Sequence, residues 1–204
     1  MTNFIKTAAR ATTATLALFA LSGCLSTSTT DSGIIDPISI FAPIPVELRS
    51  ERNGFTFEAT SGGAVYVTGL SDVAAVAYAG VMPGATVGPQ VTTGSATYRA
   101  RYEIYSIENI RVSSSRLLTG IQNTRSGVIP LTADFDSGTI TGNSQYLRVN
   151  GRISGNNVVG TTTYQGVEGT LDGLIGQNGT VGAFAGDSDT IVYSGGYASF
   201  EVTP

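Results

Sequence analysis

From Ser95 onward the chain alternates. The run Ser95 to Ile107 (SATYRARYEIYSI) puts Tyr98, Tyr102 and Ile104 on one parity and Arg99, Arg101, Glu103 and Tyr105 on the other. A strand repeats its side-chain direction every two residues, so such a segment offers one face to a core and one to water. A polar interval follows, Asn109 to Gly127, which reads as a ragged hairpin or a long loop. The strand texture then returns at 128–136, 138–142, 146–153, 157–164, 168–175, 179–186 and 190–200. Between these lie Asp136-Ser137-Gly138, Ser154-Gly155-Asn156-Asn157, Gln165-Gly166, Gln177-Asn178-Gly179 and Asp187-Ser188-Asp189, the residue types that suit tight hairpin turns. Counting the run from Ser95 gives eight strands. Eight sequential antiparallel strands predict an all-β fold, a small up-and-down barrel whose closure removes exposed edges.

Glycine recurs inside the strands at Gly151, Gly160, Gly173 and Gly182. Interior glycine marks a bend or a close approach. In a narrow barrel these positions are expected to make room for Phe135, Leu147, Tyr164, Ile175 or Phe184, giving a packed lumen rather than a channel. Around residues 146–153, Arg148, Asn150 and Arg152 share one parity and Leu147, Val149, Gly151 and Ile153 the other. The apolar parity is expected to face a core rather than lipid, because a membrane-inserted barrel also needs an outward apolar band and aromatic girdles.

The start of the chain has a different character. Lys6 and Arg10 precede a short apolar run, Ala14 to Leu21, that ends in Leu21-Ser22-Gly23-Cys24. The run falls well short of the roughly 20 residues that span a bilayer. Basic start, apolar stretch and small residues before a cut define a secretory signal over residues 1–23. The ending resembles the bacterial lipoprotein box. That resemblance implies cleavage between Gly23 and Cys24, a diacylglycerol on the Cys24 thiol and acylation of the new amine, palmitate being the typical chain. Several acyl chains meet the requirement for stable anchoring. No aspartate follows Cys24, so the outer membrane is the expected destination, at its periplasmic face or the cell surface. Cleavage removes Lys6 and Arg10 from the eleven basic residues and leaves nine, all arginine, against fifteen acids.

Residues 24–49 read as a lipidated tether. Their first half is Ser/Thr-rich and cannot bury a core. Pro37, Pro43 and Pro45 keep the second half extended, and Ile34, Ile35, Ile38, Ile40 and Phe41 are apolar enough to lie against the domain. Residues 50–92 hold short strands, either a reduced separate unit or the first part of the barrel domain. Gly54 to Glu58 and Ala64 to Thr68 alternate clearly. Val73 to Tyr78 fits both a short helix capped by Ser71-Asp72 and a strand, with strand the favoured reading. Met82 to Gln90 is a loop.

Composition closes off several functions. The chain has no histidine and one cysteine, so no His/Cys metal site, no Ser-His-Asp or Cys-His nucleophile and no intramolecular disulfide can be assembled. A net charge of −4 is wrong for a nucleic-acid partner. No glycine-rich phosphate cradle is present, because no lysine follows the glycine runs. Asp134 and Asp136 share a face, but a hairpin role in solvent or against Arg148 or Arg152 suits them better than catalysis. Asp187-Ser188-Asp189 offers too few carboxylates for a calcium cage and reads as a turn. The expectation is a non-enzyme with no cofactor and no metal.

Three motifs carry a family resemblance. Thr93 to Tyr98 (TGSATY) resembles the strand that opens the barrel domain of transferrin-binding-protein-B-like lipoproteins. Leu131 to Gly142 (LTADFDSGTITG) looks like that domain's characteristic hairpin, and Gly179 to Gly186 (GTVGAFAG) is similar to its closing strand. Together they span about residues 93–200, in the family's order, and the barrel domain is expected over 93–204. The resemblance implies an eight-stranded, lipid-anchored barrel on the outer membrane, in a family whose members bind host iron carriers, haem proteins or complement regulators. Bilobed transferrin receptors are several times longer, so transferrin binding itself does not carry over.

Arg99, Arg101 and Tyr105 form the candidate contact surface, since Arg and Tyr are enriched in protein-binding hot spots. The alternative is a plain solvated wall. The expected function is a binding module for an extracellular or envelope protein, or a haem- or iron-related ligand. A structural envelope lipoprotein and a lipocalin-like carrier are the alternatives. The domain is expected to be monomeric.

Overall fold

A computed structural model of the chain describes residues 55–61, 63–70, 74–114 and 118–204. Residues 1–54 lie outside the described residues, and with them the expected signal segment, the expected cleavage and lipidation site at Gly23-Cys24 and the expected tether. The eleven described elements are all strands.

Eight strands close a barrel. They are β4 (Ser95–Val112), β5 (Leu118–Asp134), β6 (Thr139–Asn143), β7 (Arg148–Ser154), β8 (Asn157–Tyr164), β9 (Val167–Gly176), β10 (Gly179–Asp187) and β11 (Ile191–Thr203). Each pairs antiparallel with its sequence neighbour, and β11 returns to β4 to complete the ring. That closing ladder runs from Ile191 opposite Glu108 to Thr203 opposite Thr97, with a bulge between Ser199 and Glu201.

The apolar parity points inward, as the alternation requires. Tyr98 and Ile104 of β4, Leu131 of β5, Leu147 just before β7, Tyr164 of β8 and Tyr197 of β11 are almost fully buried in one cluster. Each is worth about 1.5–3 kcal/mol relative to exposure. The opposite parity of β7 carries Arg148, Asn150 and Arg152 and is exposed. The interior is filled by side chains, including Phe184 and Tyr193.

The strand glycines serve this filling differently from the expectation. Gly151 faces Ile140 and Val158, while Gly160 and Gly173 sit tight against the backbone of neighbouring strands. Of those four only Gly182 yields to an aromatic ring, and the ring is that of Tyr197, its cross-strand neighbour. Tyr193 likewise covers Gly186, and Phe184 covers Gly195. A ring laid over a glycine restores the packing that the missing side chain forfeits.

The interval 109–127 is the hairpin of the two readings, not a long loop: β4 and β5 pair from Ser95 opposite Asp134 to Val112 opposite Leu118. The interruption is local, a register shift between Glu108 and Arg111 with Asn109 at φ 56°. The hairpin overshoots the barrel end, so its outer half lacks the core that would impose apolar alternation.

Three further strands, β1 (Phe55–Ser61), β2 (Ala64–Leu70) and β3 (Ala75–Val81), form a separate antiparallel sheet. The ambiguous segment Val73 to Tyr78 is thus largely strand. One face of β2 and β3 lies on the outer wall of the barrel. There Ala64 and Tyr66 pack with Val181 and Ala183, and Leu70, Ala75 and Ala77 with Ile107, Ala185 and Val192. Gly196 permits this approach, because a Cβ there would stand 2.6 Å from the Ala64 methyl. The connection from β3 to β4 is the expected loop. It closes one end of the barrel through hydrogen bonds from Gln177 N to Pro89 O (2.8 Å) and Asn178 N to Val87 O (2.9 Å).

Candidate contact surface

Arg99 and Arg101 lie on the outward parity of β4, both exposed. The bulge in β11 brings Phe200 between them. The Arg99 and Arg101 guanidinium carbons stand 5.5 and 5.1 Å from the Phe200 ring centroid. At an exposed site such cation–π contacts are worth about 0.5–1 kcal/mol each. Arg99 also donates to Glu201 Oε2 at 2.9 Å. Both side chains are about half exposed, so this ion pair orients the arginine more than it stabilises the fold. Across β4, Pro130 sits opposite Arg99 and Val128 opposite Arg101. Phe200 is 49% exposed and Val128 44%. Two pre-oriented guanidiniums, a ring and an aliphatic neighbour make a compact patch, and arginine is among the residues enriched in protein-binding hot spots.

Tyr105 does not belong to that patch. It shares the outward parity, but the docked sheet reaches over its end of β4, and its ring stacks at 5.8 Å on Tyr66. Glu103 is drawn into the same contact, accepting a hydrogen bond from the Tyr66 hydroxyl at 2.7 Å. Burial and the adjacent Glu103 carboxylate hold the Tyr66 phenol far above its ordinary pKa. The wet face read from the alternation is therefore split: Arg99 and Arg101 stay open, while Glu103 and Tyr105 help hold the sheet to the barrel. The sequence reading overlooked Phe200. Its signal was an aromatic residue beside Glu201 near the end of β11, hidden because the bulge breaks the parity there.

A polar network occupies the opposite mouth. Glu108 Oε1 accepts from Tyr164 Oη (2.7 Å), Ser106 Oγ (2.9 Å) and Gln165 Nε2 (2.8 Å). Burial raises the Glu108 pKa, but these three donors and the nearby Arg125 guanidinium outweigh it and leave the carboxyl below its usual range. Arg125 itself lies 5.4 Å over the Tyr146 ring. This arrangement ties β4 to the end of β8 and its turn across the mouth.

The paired aspartates form a turn. Asp134 Oδ1 accepts from the backbone N–H of Ser137 and of Asp136, both at 3.0 Å, which lowers its pKa. Asp136 Oδ1 accepts from Gly94 N at 3.2 Å. In the last hairpin, Ser188 organises the turn by accepting from Ile191 N at 3.2 Å. Among the described residues no three His, Cys, Asp or Glu side chains cluster as metal ligands.

The comparisons with known proteins follow this architecture. No family model matches the chain, and no curated protein does. Several solved structures are similar. One is transferrin binding protein B of isotype 1 from serogroup B Neisseria meningitidis, at 15% identity and TM-score 0.40, covering 71% of this chain and 34% of that one. Another is transferrin binding protein B from Haemophilus parasuis, crystallised as a double mutant, at 13% identity and TM-score 0.44, covering 76% and 38%. The apo haemoglobin receptor HpuA from Kingella denitrificans matches at 18% identity and TM-score 0.40, covering 69% and 56%. The proteins that the barrel motifs resemble thus stand among the solved structures similar to this chain. The chain spans between about a third and three fifths of their lengths, and at these identities the likeness is one of fold.

Proposed function

We propose that the chain is an outer-membrane lipoprotein, anchored through Cys24, whose barrel is a rigid stand for protein recognition on its outer wall. The observation that carries this reading is the patch of Arg99, Arg101 and Phe200 on a barrel whose interior is already full. A filled lumen leaves a small apolar cargo no place inside, which speaks against a lipocalin-like carrier. A partner must therefore meet the protein from outside. There the sheet covers one side of the wall and leaves the patch open. The anchor part of the reading rests on the Leu-Ser-Gly-Cys ending, and the outer-membrane part on the residues after it.

Expression of the full chain in a Gram-negative host, with radiolabelled palmitate, tests the anchor. Label in the wild type and none in Cys24→Ser is expected; equal labelling refutes lipidation at Cys24. Protease treatment of intact cells then tests the face of the membrane. Digestion only after permeabilisation refutes surface display.

For the partner, immobilised haemoglobin and transferrin are the first probes, since solved neighbours include a haemoglobin receptor in complex with human haemoglobin and transferrin binding proteins. Phe200→Ala with Arg101→Ala is expected to weaken binding to either at least tenfold while the circular dichroism stays unchanged. Neither protein binding at micromolar concentration, or binding indifferent to both substitutions, refutes this assignment of partner and patch.

A further inference from the structure

The barrel closes through a short seam. β5 meets β6 over only four residue pairs, from Leu131 opposite Gly142 to Asp134 opposite Thr139. Its ladder with β4 runs the full length of the hairpin. Upstream of Leu131, β5 therefore has a partner on one side and, among the described residues, an open edge on the other.

The direction of its backbone groups can be assigned. Pro130 sits opposite Arg99 and has no N–H, so that pair cannot be one in which the two residues exchange hydrogen bonds. Its carbonyl oxygen instead faces β6, 2.9 Å from where a Cβ on Gly142 would stand. Residues two apart share this direction. Gly120, Gln122, Thr124, Ser126 and Val128 thus aim N–H and C=O away from β4. No backbone hydrogen bond outside the ladders involves these five among the described residues. The side chains of Gln122, Thr124, Ser126 and Val128 are exposed.

An edge of this length is ordinarily blunted by lysine, inward charge or a bulge. Here the stretch carries no lysine and a single inward charge, Arg125, whose guanidinium is held on the Tyr146 ring. The register shift of the hairpin falls at the far end of the stretch, opposite Gly120, because Ile121 pairs with Glu108 and Thr119 with Arg111; Ile121 to Val128 pair without interruption. Pro130 stops the edge at its barrel end.

We propose that two copies of the chain associate by pairing these edges antiparallel, about a twofold axis at Thr124. A strand that pairs with itself makes an isologous contact, so one patch must complement its own copy. Centred on Thr124, the register sets Thr124 opposite Thr124, Gln122 opposite Ser126 and Gly120 opposite Val128. All of these are outward-facing residues, and the cross-strand hydroxyl and amide pairs are favourable. Asn123 then meets Arg125 between them. Shifting the centre to Arg125 opposes two guanidiniums, and shifting it to Ser126 faces Gln122 with Pro130, which has no donor. Centring on Asn123 sets Arg125 against Ile121. Centring on Gln122 carries the register shift opposite Gly120 next to the axis, so Thr124 is the centre that avoids all of these conflicts. The inference does not rest on the outer-wall patch and amends the monomer expected from sequence.

The single cysteine of the chain makes a direct test possible. In full-length Cys24→Ser protein, Thr124→Cys supplies the sole thiol at the twofold axis. Hydrogen-bonded antiparallel pairs set Cα atoms about 5.5 Å apart, within disulfide range. Mild oxidation is expected to convert Thr124→Cys into a covalent dimer at least tenfold faster than Val128→Cys, which faces Gly120 of the second copy. Sedimentation of the unsubstituted chain is expected to give twice the monomer mass at tens of micromolar. Monomer mass there, or equal cross-linking at both positions, overturns the proposal. A dimer that cross-links faster at Val128→Cys overturns the register and, with it, the proposed edge pairing.

Discussion

Thr68 Oγ1 and Ser194 Oγ stand 2.5 Å apart with both side chains fully buried, one on the docked sheet and one on the barrel wall. Thr68 has a single hydroxyl hydrogen and spends it on the Tyr105 carbonyl at 3.0 Å, so Ser194 is the donor of the pair. Two polar side chains thus satisfy one another within the alanine, valine, leucine, isoleucine and tyrosine packing of the interface. Thr68→Val strands the Ser194 hydroxyl and is expected to cost about 1–3 kcal/mol in urea unfolding. Thr68→Val with Ser194→Ala is expected to cost less than the sum of the two single changes. A loss below about 0.5 kcal/mol for the single variant would show the pair to be dispensable.

Gly182 has no room for a side chain. A Cβ there meets the Tyr197 ring, with the phenolic oxygen 2.6 Å away, and Tyr197 is completely buried. Gly182→Ala is expected to destabilise the barrel by about 1–3 kcal/mol through overpacking. Adding Tyr197→Leu removes the ring and should return part of that loss. No rescue in the double variant would place the strain elsewhere.

The Glu108 carboxyl titrates below its unfolded value, so it stabilises the fold when ionised. The sign follows from linkage. Its contribution is complete above the ordinary glutamate pKa and fades as pH falls through the lower folded one. Glu108→Gln is therefore expected to lower the melting temperature at pH 7, and the gap from the wild type should narrow below about pH 4.5. A gap independent of pH would assign the effect to lost hydrogen bonds alone.

Asp172 behaves in the opposite sense. It is half-buried on β9 between Val159 and Ala183, and desolvation raises its pKa. The ionised form is then a burden on the folded state above that raised value, and protonation relieves it. Asp172→Asn is expected to raise the melting temperature at pH 7, with the gain shrinking as pH falls toward 4. Parallel pH profiles for the two proteins would contradict this.

Much of the barrel could be read from parity and turns alone. Between Val128 and Phe200 the candidate strands fall within a few residues of β5 to β11, because Leu147, Val149 and Val158 alternate with residues that must stay wet. The outer half of the long hairpin escaped because Gln122, Thr124 and Ser126 alternate with Asn123 and Arg125, so neither parity is apolar. The docked sheet was legible only in hindsight. Val181, Ala183 and Ala185 make the outer parity of β10 apolar as well, which marks a strand buried on both faces. The contact patch was half legible: Arg99 and Arg101 follow from alternation, whereas Phe200 depends on a bulge with no local sequence signature.

The ladder joining β11 to β4 ties the last strand of the barrel to the first. Tyr98 and Ile104 enter the core early in the chain, yet the wall beside them is missing until Tyr193 and Tyr197 arrive. Ring closure waits on the most distant partner, so the loop entropy of nearly the whole domain is charged to one late event. A nascent barrel without Ile191–Thr203 is an open sheet with β10 and β4 unpaired along their long sides. If the segment before Cys24 exports the chain as proposed, this delay has a use: it keeps the polypeptide threadable until Ile191–Thr203 has followed.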